Sequence, residues 1–221
     1  MRLEVGMLGR VIDRGVSRGI RCGLGGALGC AIGCGPGSFT PAEAGVVYEA
    51  VSSVNADTYA AIYAFSAPDG EDTAGLSEAT AKGLSWYEEA AGGRFDGTVD
   101  GPGSWTGTVQ VDGDYTITLT SADTWSVVWS LDATYVGVTY GELVLDGDIR
   151  WNIRATADRG TFTHTSTVTG DIVAHGAADG AGALDYGTTV SLSGGRYQVV
   201  TLGTVGGHDI STSYDATAFG L

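Results

Sequence analysis

From about Arg94 to Phe219, apolar and polar residues alternate with a period of two. Tyr115-Ile117-Leu119, Trp125-Val127-Trp129-Leu131, Ile149-Trp151-Ile153 and Tyr197-Val199 hold the apolar places, with Thr116, Thr118, Ser126, Ser130, Arg150, Asn152 and Arg154 between them. Such alternation puts one set of side chains on a dry face and the other on a wet face, the habit of antiparallel strands. Gly, Asp, Ser or Thr at nearly every break divides the stretch into about ten strands of roughly five to eight residues, more than a flat sheet holds comfortably. The sheet is therefore expected to curl into a sandwich or partial barrel. Ile117, Trp129, Ile153 and Val199 are expected in its core.

Three breaks read as hairpin turns. The passages GTVQVDGDYTI (107–117) and GELVLDGDIRW (141–151) lie 34 positions apart and share one pattern, two alternating apolar residues on each side of Asp-Gly-Asp. Placing Val111 opposite Tyr115 makes Asp112-Gly113-Asp114 a three-residue loop, and Asp146-Gly147-Asp148 repeats it. A two-residue turn at Gly194-Gly195 pairs Leu192 with Tyr197 and Val190 with Val199.

Ahead of the sheet the periodicity changes. Thr40-Pro41-Ala42-Glu43 combines a capping Thr, Pro at the first helical position and Glu three residues after the cap, a capping box. Val47, Ala50, Val51 and Val54 then share one helical face. Asn55-Ala56-Asp57 interrupts it, and Asp57 is placed to cap a second short helix through Tyr59, Ile62 and Phe65; a β-hairpin is the rival reading, since Val and Tyr flank the break. Residues 67–75 form a loop, and Leu76, Ala79, Leu84 and Tyr87 predict a third helix ending near Gly92-Gly93. The expected fold is mainly β with a small helical N-terminal part: a large curled antiparallel β-meander (94–219) covered on one face by short helices (41–92), in one domain spanning 41–221.

Composition divides the chain at its start. Of 11 basic residues, Arg2, Arg10, Arg14, Arg18 and Arg21 fall in the first 21 positions, and with Glu4 and Asp13 they give residues 1–33 a charge of +3. The formal total of -15 therefore leaves -18 on the remainder, a balance that argues against nucleic acid as a partner. All three cysteines, Cys22, Cys30 and Cys34, lie in the opening segment, so no disulfide framework supports the body.

Residues 22–33 (CGLGGALGCAIG) form a small, uncharged, apolar run too short to span a bilayer, which needs about 20 such residues. Basic charge, a short apolar run and small residues make a secretory pattern. The run ends Ala31-Ile32-Gly33-Cys34, which resembles the bacterial lipoprotein class. The resemblance covers the first 34 residues and implies cleavage before Cys34, lipidation of that Cys and attachment to the cell envelope, at the outer membrane or periplasmic face; the GPGSF run of residues 35–39 is expected to serve as a flexible tether, so that 34–40 comprise the lipidated Cys and its tether. Ala27-Leu28-Gly29-Cys30 is a second candidate site, and Met7 a second candidate start.

Little in the body points to a reaction. His164, His175 and His208 are dispersed without ligand spacing, and Asp112, Asp114, Asp146 and Asp148 are accounted for by turn chemistry before calcium. Gly103-Ser104-Trp105 lacks the second glycine of a nucleophile elbow. Trp125, Trp129 and Trp151 follow the dry face, so they read as core before sugar platform. The expectation is a non-enzymatic envelope lipoprotein, with no catalytic residue, metal or cofactor. Its partners would be the membrane, through the lipid, and an envelope protein or glycan. The alternatives are an outer-membrane β-barrel and a secreted carbohydrate-binding domain.

Overall fold

A computed structural model describes residues 38–66, 80–89, 92–121 and 124–217. Cys30 and Cys34 lie outside this range. Among the described residues, one helix, α1 (Pro41–Ser66), precedes ten strands. They are β1 (Thr80–Glu89), β2 (Gly92–Asp100), β3 (Trp105–Ser121), β4 (Thr124–Tyr140), β5 (Leu143–Asp158), β6 (Thr161–Gly176), β7 (Gly180–Ser193), β8 (Arg196–Val205), β9 (His208–Asp209) and β10 (Thr212–Thr217). Each strand pairs antiparallel with the next through β8, which carries β9 and then β10 along its far side. Strands β1 and β10 end the order without pairing to each other, so the sheet curls but stays open.

The expected antiparallel meander is present, and its alternation is carried through each strand. In β5, Leu143, Leu145, Ile149, Trp151, Ile153 and Ala155 are buried while Arg150, Asn152 and Arg154 face water. Of the four residues placed in the core, Trp129 and Ile153 are buried, and Ile117 and Val199 are half-buried. Helix α1 covers the inner face. Ala44, Val47, Ala50, Val51, Val54 and Ile62 are buried in one cluster with the strands, and each large apolar side chain so enclosed contributes roughly 1.5 to 3 kcal/mol.

The capping box is made as its residues predict. The Glu43 carboxylate accepts from the Thr40 backbone at 2.7 Å, and the Glu43 amide donates to Thr40 Oγ1 at 3.3 Å. The bonds from Thr40 hold the Glu43 carboxyl below the usual carboxylate range. One position earlier, the expected tether is already part of the fold: Phe39 is only 2% exposed, its ring filling a notch left by Gly182 and Gly206.

Four expectations are corrected. First, Asn55-Ala56-Asp57 does not end the helix, which runs 26 residues without interruption. The polar groups that would have broken it are used on the sheet: Asn55 Oδ1 accepts from Tyr135 Oη at 2.9 Å, and Asp57 Oδ2 accepts from Trp105 Nε1 at 2.9 Å. Second, the third helix is replaced by β1 over Thr80–Glu89, which pairs with β2 from Glu89↔Gly92 to Thr80↔Asp100. Pairing to an existing sheet edge outweighs a weak helical periodicity. Third, strands β3 to β7 run 14 to 17 residues, about twice the expected length.

The fourth correction explains the third for β3 and β5. Asp112-Gly113-Asp114 lies in the middle of β3, Gly113 facing Phe95 on one side and Leu131 on the other; Asp146-Gly147-Asp148 lies in the middle of β5, with Gly147 between Tyr135 and Ile172. These glycines sit where the backbones come too close for a side chain. A Cβ on Gly113 would stand 2.5 Å from the Ser130 carbonyl oxygen and 2.7 Å from the Phe95 ring. A Cβ on Gly147, whose φ is +153°, would stand 2.2 Å from the Asp171 carbonyl oxygen. Glycine kinks of this kind bend a long strand and let a sheet curl. Both aspartates of each triplet fall on the outer face, where neither has to be buried. The Gly194-Gly195 turn, by contrast, stands as expected, with both residues left-handed and Leu192↔Tyr197 and Val190↔Val199 in register.

The kink and the turn can be told apart by substitution. Gly147→Ala should lower unfolding stability by roughly 2 to 4 kcal/mol in chemical denaturation, because strain and clash coincide. Gly194→Asn should be within about 0.5 kcal/mol of wild type, since Asn is at home in such turns.

Candidate functional site

The cross-strand register brings together residues that the linear pattern keeps apart. Row by row on the inner face, Tyr115, Trp129 and Ile153 are followed by Ser166, Thr188, Thr201 and Thr212. Hydroxyls thus replace apolar side chains at one register position across four neighbouring strands. The adjoining row runs Ala155, His164, Val190, Val199 and Tyr214. Above these rows pass Tyr48, Ser52, Asn55, Ala56 and Tyr59 of α1. Between helix and sheet lies a half-open cleft of about 170 Å³, walled at its far end by Thr212, Ser213 and Tyr214 of β10.

The cleft is lined mostly by apolar and aromatic surface, and none of its lining residues is Asp, Glu, Lys or Arg. In a chain of net charge -15 that is a sharp local departure. Several of its hydroxyls already bond to one another. Thr188 Oγ1 lies 3.0 Å from Thr201 Oγ1, Tyr48 Oη lies 3.2 Å from Thr201 Oγ1, and Ser52 Oγ lies 3.4 Å from Tyr186 Oη. The Tyr186 hydroxyl is held protonated by burial, which pushes its pKa well above the usual phenol value.

Two side chains are less well served. His164 is 5% exposed, and neither of its ring nitrogens has a hydrogen-bond partner among the described residues; the Nδ2 of Asn55, whose Oδ1 is taken by Tyr135, has none there either. Desolvation lowers the His164 pKa to about 4, so its ring is neutral at physiological pH. A buried donor or acceptor left without a partner costs about 1 to 3 kcal/mol, more than a side chain kept only for its shape needs to.

The other residues singled out in the sequence are scattered. His175 is exposed and its Nδ1 lies 2.9 Å from the Asp179 carboxylate, while His208 donates to the Phe39 carbonyl. Ser104 is exposed and donates to Asp57. Asp146 accepts from the Gly137 amide and Asp148 from Thr134, both at 2.7 Å. Among the described residues, no three His, Cys, Asp or Glu side chains are grouped to hold a metal ion. Trp105, Trp129 and Trp151 are all buried, with Trp151 reaching the cleft wall. Trp125, also placed on the dry face, is half-buried against Phe162.

No protein-family model, curated protein or solved structure matches the chain. The cleft therefore has to be interpreted from its own chemistry. Its signal in the sequence is the pair of polar residues His164 and Ser166 at inward positions of β6, answered by Thr188 in β7 and Thr201 in β8.

Burial of a neutral histidine makes stability depend on pH in a fixed direction. The unfolded chain takes up a proton near pH 6.5 that the folded chain refuses until about pH 4, so this group's contribution is present above pH 6.5 and is lost as pH falls through that window. The loss should be on the order of 3 kcal/mol by pH 4. Denaturation of wild type and His164→Leu at matched pH should show the wild type losing that much more stability between pH 6.5 and pH 4, with the variant the more stable of the two throughout.

Proposed function

We propose that the protein is a lipid-anchored lipoprotein of the cell envelope whose helix-filled sheet is a non-enzymatic binding module for a small, uncharged, mainly apolar ligand. The observation that carries the binding half is the uncharged, half-open cleft between α1 and strands β5 to β8 and β10. Concave, mainly apolar pockets with a few placed polar groups are the usual form of a small-molecule site. The anchoring half rests on the run ending at Cys34, where basic charge, a short apolar stretch and all cysteine use converge.

Two observations weigh against a membrane-spanning barrel. The end strands do not pair, and a lipid-facing sheet surface would have to be apolar where this one carries Asp112, Asp132, Arg150 and Asp148. Burial of Trp105, Trp129 and Trp151 likewise keeps these three out of an exposed aromatic row of the kind a glycan-binding surface uses.

Each half has its own test. N-phenyl-1-naphthylamine, a neutral dye that brightens in apolar surroundings, should bind saturably at one site per chain. Ser166→Phe, which fills the cleft floor, should weaken that binding at least tenfold while leaving the far-ultraviolet circular dichroism unchanged. In cells, the wild type should fractionate with membranes and Cys34→Ser should be soluble or unprocessed, with intact mass placing any acyl chains on Cys34 and not on Cys30. Dye binding that is non-saturable, or identical distribution of the two proteins as soluble material, would defeat the corresponding half.

A further inference from the structure

We infer that β10 is a docking edge for a second copy of this chain: two β10 strands pair antiparallel about a two-fold axis at Tyr214, and the partner's Tyr214 extends the wall of the cleft. The pairing itself does not depend on what the cleft binds. Its bearing on the site rests on the binding reading above.

The two end strands of the sheet are built differently. An open sheet leaves a row of unpaired amides and carbonyls on each end strand, a template for another chain unless the edge is blunted. Strand β1 is blunted: its ladder to β2 shifts register between Lys82 and Ser85, and its sequence carries Lys82, Glu88 and Glu89. Strand β10 (TSYDAT) has none of these devices. Its ladder to β8 runs without a shift from Thr212↔Thr201 to Thr217↔Arg196, and it holds no Pro, Lys or Arg. Among the described residues nothing pairs with its outer side. On the strand stands Tyr214, 47% exposed, with the Tyr197 ring 6.5 Å away.

Charge and symmetry point to a second copy as the occupant. The acidic outer face would repel another molecule of the same chain, but at this edge Asp215 is met by Arg196 at 3.3 Å, so the edge is locally balanced. A two-fold axis perpendicular to the sheet keeps the same face inward in both copies, as an antiparallel pair requires, because residues directly opposite each other point to one side. The axis then passes through a residue. Pairing Thr212–Ala216 with itself centres the axis on Tyr214, and pairing Ser213–Thr217 with itself centres it on Asp215. The second register sets two carboxylates face to face, which destabilises a sheet. The first sets Tyr214 against the partner's Tyr214, an aromatic cross-strand pair, and puts Asp215 opposite the partner's Ser213. Because Thr212 and Tyr214 line the cleft, the partner's strand continues that wall and adds a second ladder to hold it.

A six-residue edge buries less than a standard interface of about 1,600 Å², so association should be weak and rise with concentration. Sedimentation of the full chain carrying Cys22→Ser, Cys30→Ser and Cys34→Ser, which is free of lipid and thiols, should show monomer giving way to dimer, and to nothing larger, between micromolar and millimolar concentration. Outward-pointing amides of β10 should exchange at least tenfold more slowly across that range, with β4 and β5 unchanged. Tyr214→Lys, which sets two ammonium groups at the axis, should stay monomeric. Tyr214→Cys in the same chain should cross-link to itself on oxidation, since directly opposite residues stand about 4.5 to 5.5 Å apart between Cα atoms, within disulfide reach. Ser213→Cys and Asp215→Cys should each fail alone and cross-link when mixed. A chain monomeric at every concentration, growth beyond the dimer, association that persists in a folded Tyr214→Lys, or Ser213→Cys linking to itself as well as Tyr214→Cys does would each overturn the inference. Binding of N-phenyl-1-naphthylamine is read separately: a monomer that binds the dye sinks the pairing and leaves the cleft reading standing, and a dimer that binds none does the reverse.

Discussion

A sheet that curls without closing has to have its concave side covered, and here one helix does the covering. Strands of up to 17 residues present more inner face than α1 can shield. The helix is therefore pinned where shielding matters most. Asn55 bonds Tyr135, Asp57 bonds Trp105, and the Tyr59 ring stands edge-on to Trp129 and Trp151 at 5.5 and 5.8 Å. Under that part of the helix the inner rows are aliphatic and aromatic. Toward β6, β7 and β8 the rows turn to hydroxyls and histidine, and the space between helix and sheet opens into the cleft. Packing and site are two results of one geometric mismatch.

The alternation of single strands was plain in the sequence because it depends only on neighbours two positions apart. So were the capping box at Thr40 and Glu43 and the turn at Gly194-Gly195, whose causes lie within a few residues. What could not be seen depends on register. Asp-Gly-Asp has the composition of a turn, and only the closeness of the Ser130 and Asp171 carbonyls shows that Gly113 and Gly147 are bends within strands. The lengths of β3 and β5 have the same cause, since a turn at either triplet would cut its strand in two. The helix through Asn55 and Asp57 misled for a related reason: their side chains look like helix breakers until Tyr135 and Trp105, some 50 to 80 positions away, are brought to them.

The cleft was hidden by the same limitation. His164 and Ser166, Thr188, and Thr201 each look like single lapses in an apolar alternation. Only the pairings His164↔Val190, Ser166↔Thr188 and Thr188↔Thr201 align them into one patch. Charge is partitioned in the opposite sense. Asp96, Asp112 and Asp132 stand directly across from one another on the outer face, and of that row Arg150 answers Asp132 with bonds of 2.8 and 3.0 Å. Like charges so placed oppose folding and are softened by salt, yet they leave the inner space free of ions.

Strand β10 is six residues long and, among the described residues, is joined to the sheet through β8 alone, yet it supplies Thr212, Ser213 and Tyr214 to the cleft wall. The wall of the site is consequently a segment of the sheet that is easily lifted, because raising it breaks one short ladder and leaves the central strands untouched. Amides of β10 would exchange with solvent long before those of β4 and β5. A ligand in the half-open cleft would therefore rest against a wall held by a handful of backbone hydrogen bonds that never touch it.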